Sequence, residues 1–332
     1  MIFKNIDFHN VEEMTQNDDG SYTLHRVPVS LEEKLTEHDG SKQNRANVGI
    51  ELRFLMKSDV VKIRFKASEG SKIVSTTIFV GDLYHSATEY ITDSGSEIVL
   101  QKAKLDPMKC NKNAYNYFEP MFDSSVIRIS LQSGWVNFID VEGDVAPPTP
   151  ELLPKKKMFA YGSSITSASG AIRFENGYSA RAAEALGYDA TIKGYPGSCC
   201  MQPEMADYIA TQEFDFAILE LGVNILNVGP EEFGKRLTYL LDKVCNTNKD
   251  KRFFLISPFF MWDDYGIDKP SVLFRREFTR VLNELKLQNA VYIDGLTLFG
   301  NPKHLNTDSV HPDPRGHEII AERLVKIIKD YI

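Results

Sequence analysis

"KKKMFAYGSSIT", residues 155–166, decides how the second half of the chain folds. A short apolar run from Met158 to Tyr161 leads straight into Gly162-Ser163-Ser164. No polar alternation interrupts it, as expected of a strand buried on both faces of a parallel sheet. Small residues follow, "ITSASG", and no helix begins at once. A serine at such an exit has two readings. It is a turn or capping serine, or it is a nucleophile at the carboxyl end of a buried strand, where sites of open α/β sheets form.

Downstream the same kind of run recurs in "DATIKGY", "FDFAILELGV", "RFFLISPFF" and "NAVYIDGL". Helical segments separate these runs. "PEEFGKRLTYLLDKV" opens on Pro230 and carries Phe233, Leu237, Leu240, Leu241 and Val244 at helical spacing. "SVLFRREFTRVLNEL" repeats the pattern, and "GHEIIAERLVKIIKDYI" is a further amphipathic helix. Apolar strands alternating with helices predict an α/β fold with a parallel sheet covered on both faces.

Upstream the rhythm is different. In "DVVKIRFKA", Val61, Ile63 and Phe65 alternate with Lys62, Arg64 and Lys66. "SVIRISLQ", "VGIELRFLM", "IVSTTIFVG", "SEIVLQ" and "WVNFIDVEG" read similarly. Period-two alternation between turns predicts antiparallel strands with one wet face, in a sandwich or jelly roll. Between the halves lie Pro147, Pro148, Pro150 and Pro154, which suit neither a sheet nor a helix. The expected division is an all-β domain over 1–146, a linker over 147–154 and an α/β domain over 155–332.

The bulk numbers fit such a chain. It has 332 residues, 42% hydrophobic and 25% charged, with net charge −8. That charge argues against nucleic acid as a partner. No apolar stretch suits a signal peptide or a membrane span. Cys110, Cys199, Cys200 and Cys245 show no zinc-ligand spacing. They read as reduced thiols in a cytoplasmic protein.

The expected strand ends hold the groups that acyl transfer needs. A serine hydroxyl is a poor nucleophile until a base takes its proton, and His311 is a suitable base near neutral pH. Asp308, three residues earlier, is close enough in a turn to hold the far ring nitrogen. The N–H groups of Ser164 and Gly197, with the Asn224 amide, supply donors for an oxyanion. Each residue alone has an ordinary structural reading. Their order along one sheet, Ser, Gly, Asn, Asp, His, makes the case together. Alternation at the strand end turns Ser163 away from Ser164. His304 has no aspartate three residues before it, and His317 is expected to face solvent from the last helix. Cys199 and Cys200 read as packing. No histidine–carboxylate cluster suggests a metal site, and the chemistry calls for no cofactor.

With those residues in hand the chain resembles the SGNH hydrolases, or GDSL esterase/lipase family. Their first block, Gly-Asp-Ser-x-Thr, is matched by "GSSIT", with Ser164 at the nucleophile and Ser163 where aspartate is commoner. Their glycine block matches Gly197 in "YPG". Their Gly-x-Asn-Asp block is matched by Gly222-Val223-Asn224, with Ile225 in place of the final aspartate. Their Asp-x-x-His block is Asp308-Ser309-Val310-His311. The layout is similar to the two-domain branch of that family, in which a jelly-roll domain precedes a flavodoxin-like, three-layer hydrolase domain.

The resemblance implies an esterase with Ser164, Asp308 and His311 as catalytic residues and Ser164, Gly197 and Asn224 as the oxyanion hole. It implies an acetyl or other short acyl ester of a carbohydrate or similar polar alcohol as substrate. Two alternatives remain: an acyltransferase on the same triad, and a non-catalytic carbohydrate-binding protein. The expected partner is a small-molecule or oligosaccharide ester, with no nucleic acid and no membrane, and self-association is left open. Tyr115, Tyr117, Phe118 and Trp135 fit sugar stacking in the first domain and fit core packing at least as well.

Overall fold

The computed structural model describes residues 1–85, 88–105, 118–265 and 269–332. Tyr115, Tyr117 and Cys110 lie outside the described residues. The chain divides into two compact units: Met1–Val29 with Asn44–Lys155, and Ser30–Gln43 with Lys156–Ile332. The stretch 30–43, expected in the first domain, thus goes with the second unit. The reason is local contact. Lys34, Glu37 and His38 bond to residues in the loop after Gly194 and on the helix that starts at Pro230.

The first unit contains strands β1 (Ile2–Phe3), β2 (Ile6–His9), β3 (Glu13–Gln16), β4 (Tyr22–His25), β5 (Glu51–Met56), β6 (Val60–Ala67) and β7 (Ile73–Val80). It continues with β8 (Leu83–His85), β9 (Tyr90–Thr92), β10 (Ser96–Gln101), β11 (Val126–Leu131), β12 (Val136–Glu142) and β13 (Val145–Ala146). They form two antiparallel sheets. One runs β1-β2-β5-β11-β7-β8, with β13 beside β5 and β9 beside β7, and the other runs β10-β6-β12-β4-β3. Phe8, Phe54 and Ile129 from the first sheet share one core with Ile63, Phe65 and Phe138 from the second. Phe8 and Phe138 meet edge to face at 5.1 Å.

Strand β6 alternates as its sequence demands, with Val61, Ile63 and Phe65 wholly buried. The middle strands of the larger sheet differ from the one-wet-face expectation, because their polar face is covered as well. Glu51 there pairs with Arg53 at 2.6 Å and with Arg128 at 2.8 Å. Phe122 lies 3.9 Å from the Arg128 guanidinium. Although burial alone raises an acid's pKa, the two guanidinium groups hold Glu51 at about 2.

The second unit carries a parallel sheet of β14 (Lys157–Gly162), β15 (Asp189–Gly194), β16 (Phe216–Glu220), β17 (Arg252–Ile256) and β18 (Ala290–Ile293), in the order β15-β14-β16-β17-β18. Central β16 is buried at every position, whereas edge strands β15 and β18 are half exposed. Continuous apolar runs are what such a central position requires. The chain moves one way from β14 to β15 and the other way from β15 to β16. Right-handed crossovers therefore put the helix Tyr178–Leu186 on one face and the helix Pro203–Ala210 on the other. The helix Pro314–Lys329 packs beside the former, and Pro230–Thr247 and Pro270–Leu285 follow the latter. Phe233 and Phe274 stack at 4.1 Å between those last two. The order reverses at β14, so the crevice lies beyond the carboxyl ends of β14 and β16. No helix among the described residues is long and apolar enough to cross a membrane.

Candidate active site

Strand β14 ends where its neighbours come too close for a side chain. A Cβ on Gly162 would lie 2.8 Å from Glu220 Oε2 and also press on Thr166. Beyond it the two serines part as alternation requires. Ser163 is fully buried and turns inward, with its N–H and Oγ–H donating to Glu220 Oε2 at 2.8 and 2.6 Å. Thr166 donates to the same oxygen at 3.1 Å, and Ser163 Oγ accepts Ile165 N–H at 3.1 Å. Ser164 is left at the surface of this buried network, 8% exposed. The chain then closes on itself, with Ser167 N–H reaching Ser163 O and Ser169 N–H reaching Ser164 O. These turn bonds are why no helix starts directly after the serines.

Ser164 Oγ meets His311 Nε2 at 2.7 Å, and His311 Nδ1 meets Asp308 Oδ2 at 2.8 Å. The carboxylate accepts only, so Nδ1 carries the proton and Nε2 is free to accept from Ser164. Asp308 builds the turn it sits in. Its other oxygen, Oδ1, takes the N–H of Val310 at 2.9 Å and of His311 at 3.0 Å. Burial works to raise the Asp308 pKa. The two N–H groups and the imidazole outweigh it and hold the carboxyl below its ordinary value.

Asn224 follows β16 after Gly222, whose φ of 113° makes the sharp exit. Its Oδ1 accepts Cys199 N–H at 3.0 Å. That bond settles the amide orientation, because an N–H needs the oxygen, and Nδ2 is the donor left over. The same bond ties Asn224 to the loop carrying Gly197, which is exposed with φ 72°. Among the described residues, neither the Ser164 nor the Gly197 N–H has a backbone acceptor. The structure therefore joins Ser164, His311 and Asp308 in one chain of hydrogen bonds, and links Asn224 to the Gly197 loop.

Three residues differ from expectation or escape a reading of the sequence. His317 does not face solvent: it is fully buried. Its Nδ1 accepts Tyr178 N–H at 3.3 Å and its Nε2–H donates to Ser169 O at 2.9 Å. It lies on the same helical stripe as Ile320, Ala321 and Leu324, and that spacing is the signal that places it. Glu220 reads in sequence only as part of an apolar strand. Burial pushes its carboxyl above the ordinary value against the Ser163 and Thr166 donors and the nearby His311, and Oε1 finds no partner among the described residues. A lone carboxylate inside "FAILELG" is the available sign. His38 carries no local sign at all. Cys199, Cys200 and Cys245 are buried and free of disulfide bonds, and burial raises Cys200 to about 11.

Residues 160–319 match the GDSL-like lipase/acylhydrolase family. This part of the chain is a domain of that family, a class of carboxylic ester hydrolases. No curated protein matches the sequence. Solved structures match over most or nearly all of the chain. The salicylyl-acyltransferase SsfX3 from a tetracycline biosynthetic pathway is 16% identical, with TM-score 0.77, and the match covers 99% of this chain and 97% of that one. A family two carbohydrate esterase from Clostridium thermocellum, in complex with cellohexaose, is 16% identical, with TM-score 0.62 and coverage of 85% and 92%. The acetyl xylan esterase Est2A from the rumen bacterium Butyrivibrio proteoclasticus is 11% identical, with TM-score 0.59 and coverage of 99% and 96%. At these identities the likeness is one of fold.

Proposed function

We propose that the protein is a serine esterase that removes a short acyl group, acetyl foremost, from a carbohydrate or similar polar alcohol. Ser164 Oγ attacks the ester carbonyl while His311 Nε2 takes its proton. Asp308 holds the ring in the required tautomer and stabilises the imidazolium. The oxyanion accepts from the N–H groups of Ser164 and Gly197 and from Asn224 Nδ2. His311 then hands the proton to the leaving alcohol oxygen as the C–O bond breaks. Water repeats the sequence on the acyl-enzyme and releases the acid.

The observation that carries this reading is the continuous Ser164–His311–Asp308 hydrogen-bond chain at the end of β14. The substrate class is supported by the cellohexaose complex and the acetyl xylan esterase among the fold's relatives. Likeness to a salicylyl-acyltransferase over both units favours a second reading, in which an acceptor alcohol replaces water. Chromogenic esters of rising acyl length test the first, and the transfer-to-hydrolysis ratio with added alcohol tests the second. Acetate should be cleaved fastest, Ser164→Ala should lose several orders of magnitude in turnover, and a fluorophosphonate should label Ser164. Cleavage that survives Ser164→Ala, or no cleavage of any ester, refutes the assignment.

A further inference from the structure

Residues 34–41 are fastened to the loop that carries Gly197. Gln202 Nε2 donates to Lys34 O at 3.2 Å. Glu37 pairs with Arg236 at 2.8 Å, and Arg236 also donates to Cys200 O at 3.0 Å. Ser198 Oγ donates to His38 O. The His38 ring completes the set, with Nδ1 3.2 Å from Gly197 O and 3.6 Å from Cys200 Sγ. To reach there the backbone turns left-handed twice, φ 50° at His38 and 58° at Asp39. Two successive residues in that region cost free energy even for His and Asp, and persist only where the surroundings hold them. Ser41 N–H to Leu35 O at 2.8 Å closes the turn behind them.

The chemistry of this placement is specific. Gly197 O only accepts, so the proton of the neutral ring sits on Nδ1. Nε2 is then a lone-pair acceptor on an exposed ring, and no described residue donates to it. We infer that His38 is a specificity-determining residue, whose Nε2 accepts a hydrogen bond from a hydroxyl of the substrate's alcohol half beside Gly197. This inference rests on the esterase reading above. An acetyl group and an ester carbonyl have no donor to offer Nε2, whereas a polyol has several. A polyhydroxylated alcohol is therefore the half of the substrate that this ring selects.

The test compares two esters of one skeleton: a mono-O-acetyl methyl glucoside and its counterpart with every free hydroxyl methylated. His38→Asn keeps a donor for Gly197 O and lacks the Nε2 acceptor, while His38→Phe removes both nitrogens. Both variants should lower kcat/KM for the free-hydroxyl ester on the order of five- to tenfold more than for the methylated one, as expected for one neutral hydrogen bond. The loss should fall mainly on KM. Equal losses for the two esters would make His38 a fastener of the Gly197 loop and overturn its role in selection. So would no loss for either. Hydrolysis of neither glucoside by a wild type that still cleaves a chromogenic acetate would overturn the selection of a polyhydroxylated alcohol, whereas no cleavage of the chromogenic acetate either would bring down the esterase reading itself.

Discussion

His317 makes the second unit acid-sensitive in a way that can be isolated. Burial comes first in pushing its pKa from an ordinary 6.5 to about 4. The charges of His311 and Arg181 lower it further, against the Ser169 carbonyl and Asp313. The folded protein thus refuses a proton that the unfolded chain accepts between those two values. Stability from this group is complete above pH 6.5 and drains away as pH falls toward 4. At about 1.36 kcal/mol per unit, the loss is about 2 kcal/mol at pH 5 and about 3 kcal/mol at pH 4. Against a total of roughly 5–15 kcal/mol this is a large share. The His317→Gln variant keeps at most one of the two hydrogen bonds and should cost about 1–2 kcal/mol at pH 7, but it does not titrate. Of the two tryptophans, Trp135 lies in the first unit and Trp262 in the second, so a Trp135→Phe background reports on the second unit alone. Urea unfolding followed by Trp262 emission at pH 7 and pH 5 gives four free energies. The gap between the parent and the His317→Gln variant, an advantage of about 1–2 kcal/mol at pH 7, should fall by about 2 kcal/mol at the lower pH, so that it vanishes or reverses. A gap that stays constant would refute the buried neutral imidazole.

Other substitutions probe the site from different sides. Ser163→Ala leaves the Ser164–His311 bond in place, but orphans Ile165 N–H and takes a donor from Glu220. It should lower stability by about 1–3 kcal/mol while most turnover survives; thermal melting at parental temperature would refute this. Asn224→Ala should cut turnover on an acetate ester roughly a hundredfold or more, with a smaller effect on KM; a change in KM alone would make Asn224 a ground-state contact. Gly170 has φ 93°, and a Cβ there would crowd Pro312 O and come within 2.6 Å of Asn306 Nδ2. Gly170→Ala should displace the turn bearing His311 and lower turnover about tenfold or more, and an unchanged rate would show that the turn yields without moving the ring.

Much of this arrangement can be read in one dimension because its causes are local. Val61, Ile63 and Phe65 alternate because a pleat faces them inward, and the run through Ile218 is apolar because β16 has no wet face. Ser164, Gly197 and Asn224 can be placed near one another because each lies shortly after a strand of one parallel sheet, whose carboxyl ends share a side. What escapes depends on distant pairing. Glu51, Arg53 and Arg128 look like outward polar positions until Phe122 is laid over them. His38 lies 159 residues from Gly197, and nothing in its neighbours points there. Ser163 looks like a spare hydroxyl, because the carboxylate that holds it arrives two strands later. His317 is legible from its helical stripe, although its polarity alone points to solvent.

The two oxygens of Asp308 have a consequence for how such a site responds to substitution. One oxygen caps the turn and the other orients the imidazole, so a single side chain links the fold of residues 308–311 to the direction of the base, while Trp262 N–H on Ser309 O and Asn306 N–H on His311 O hold the same turn from outside. A glutamate would move both oxygens at once, and an asparagine would keep the turn while offering the ring an amide. A substitution at residue 308 that loses both oxygens therefore removes the turn's cap and the ring's orientation together, whereas one that keeps Oδ1 separates the two.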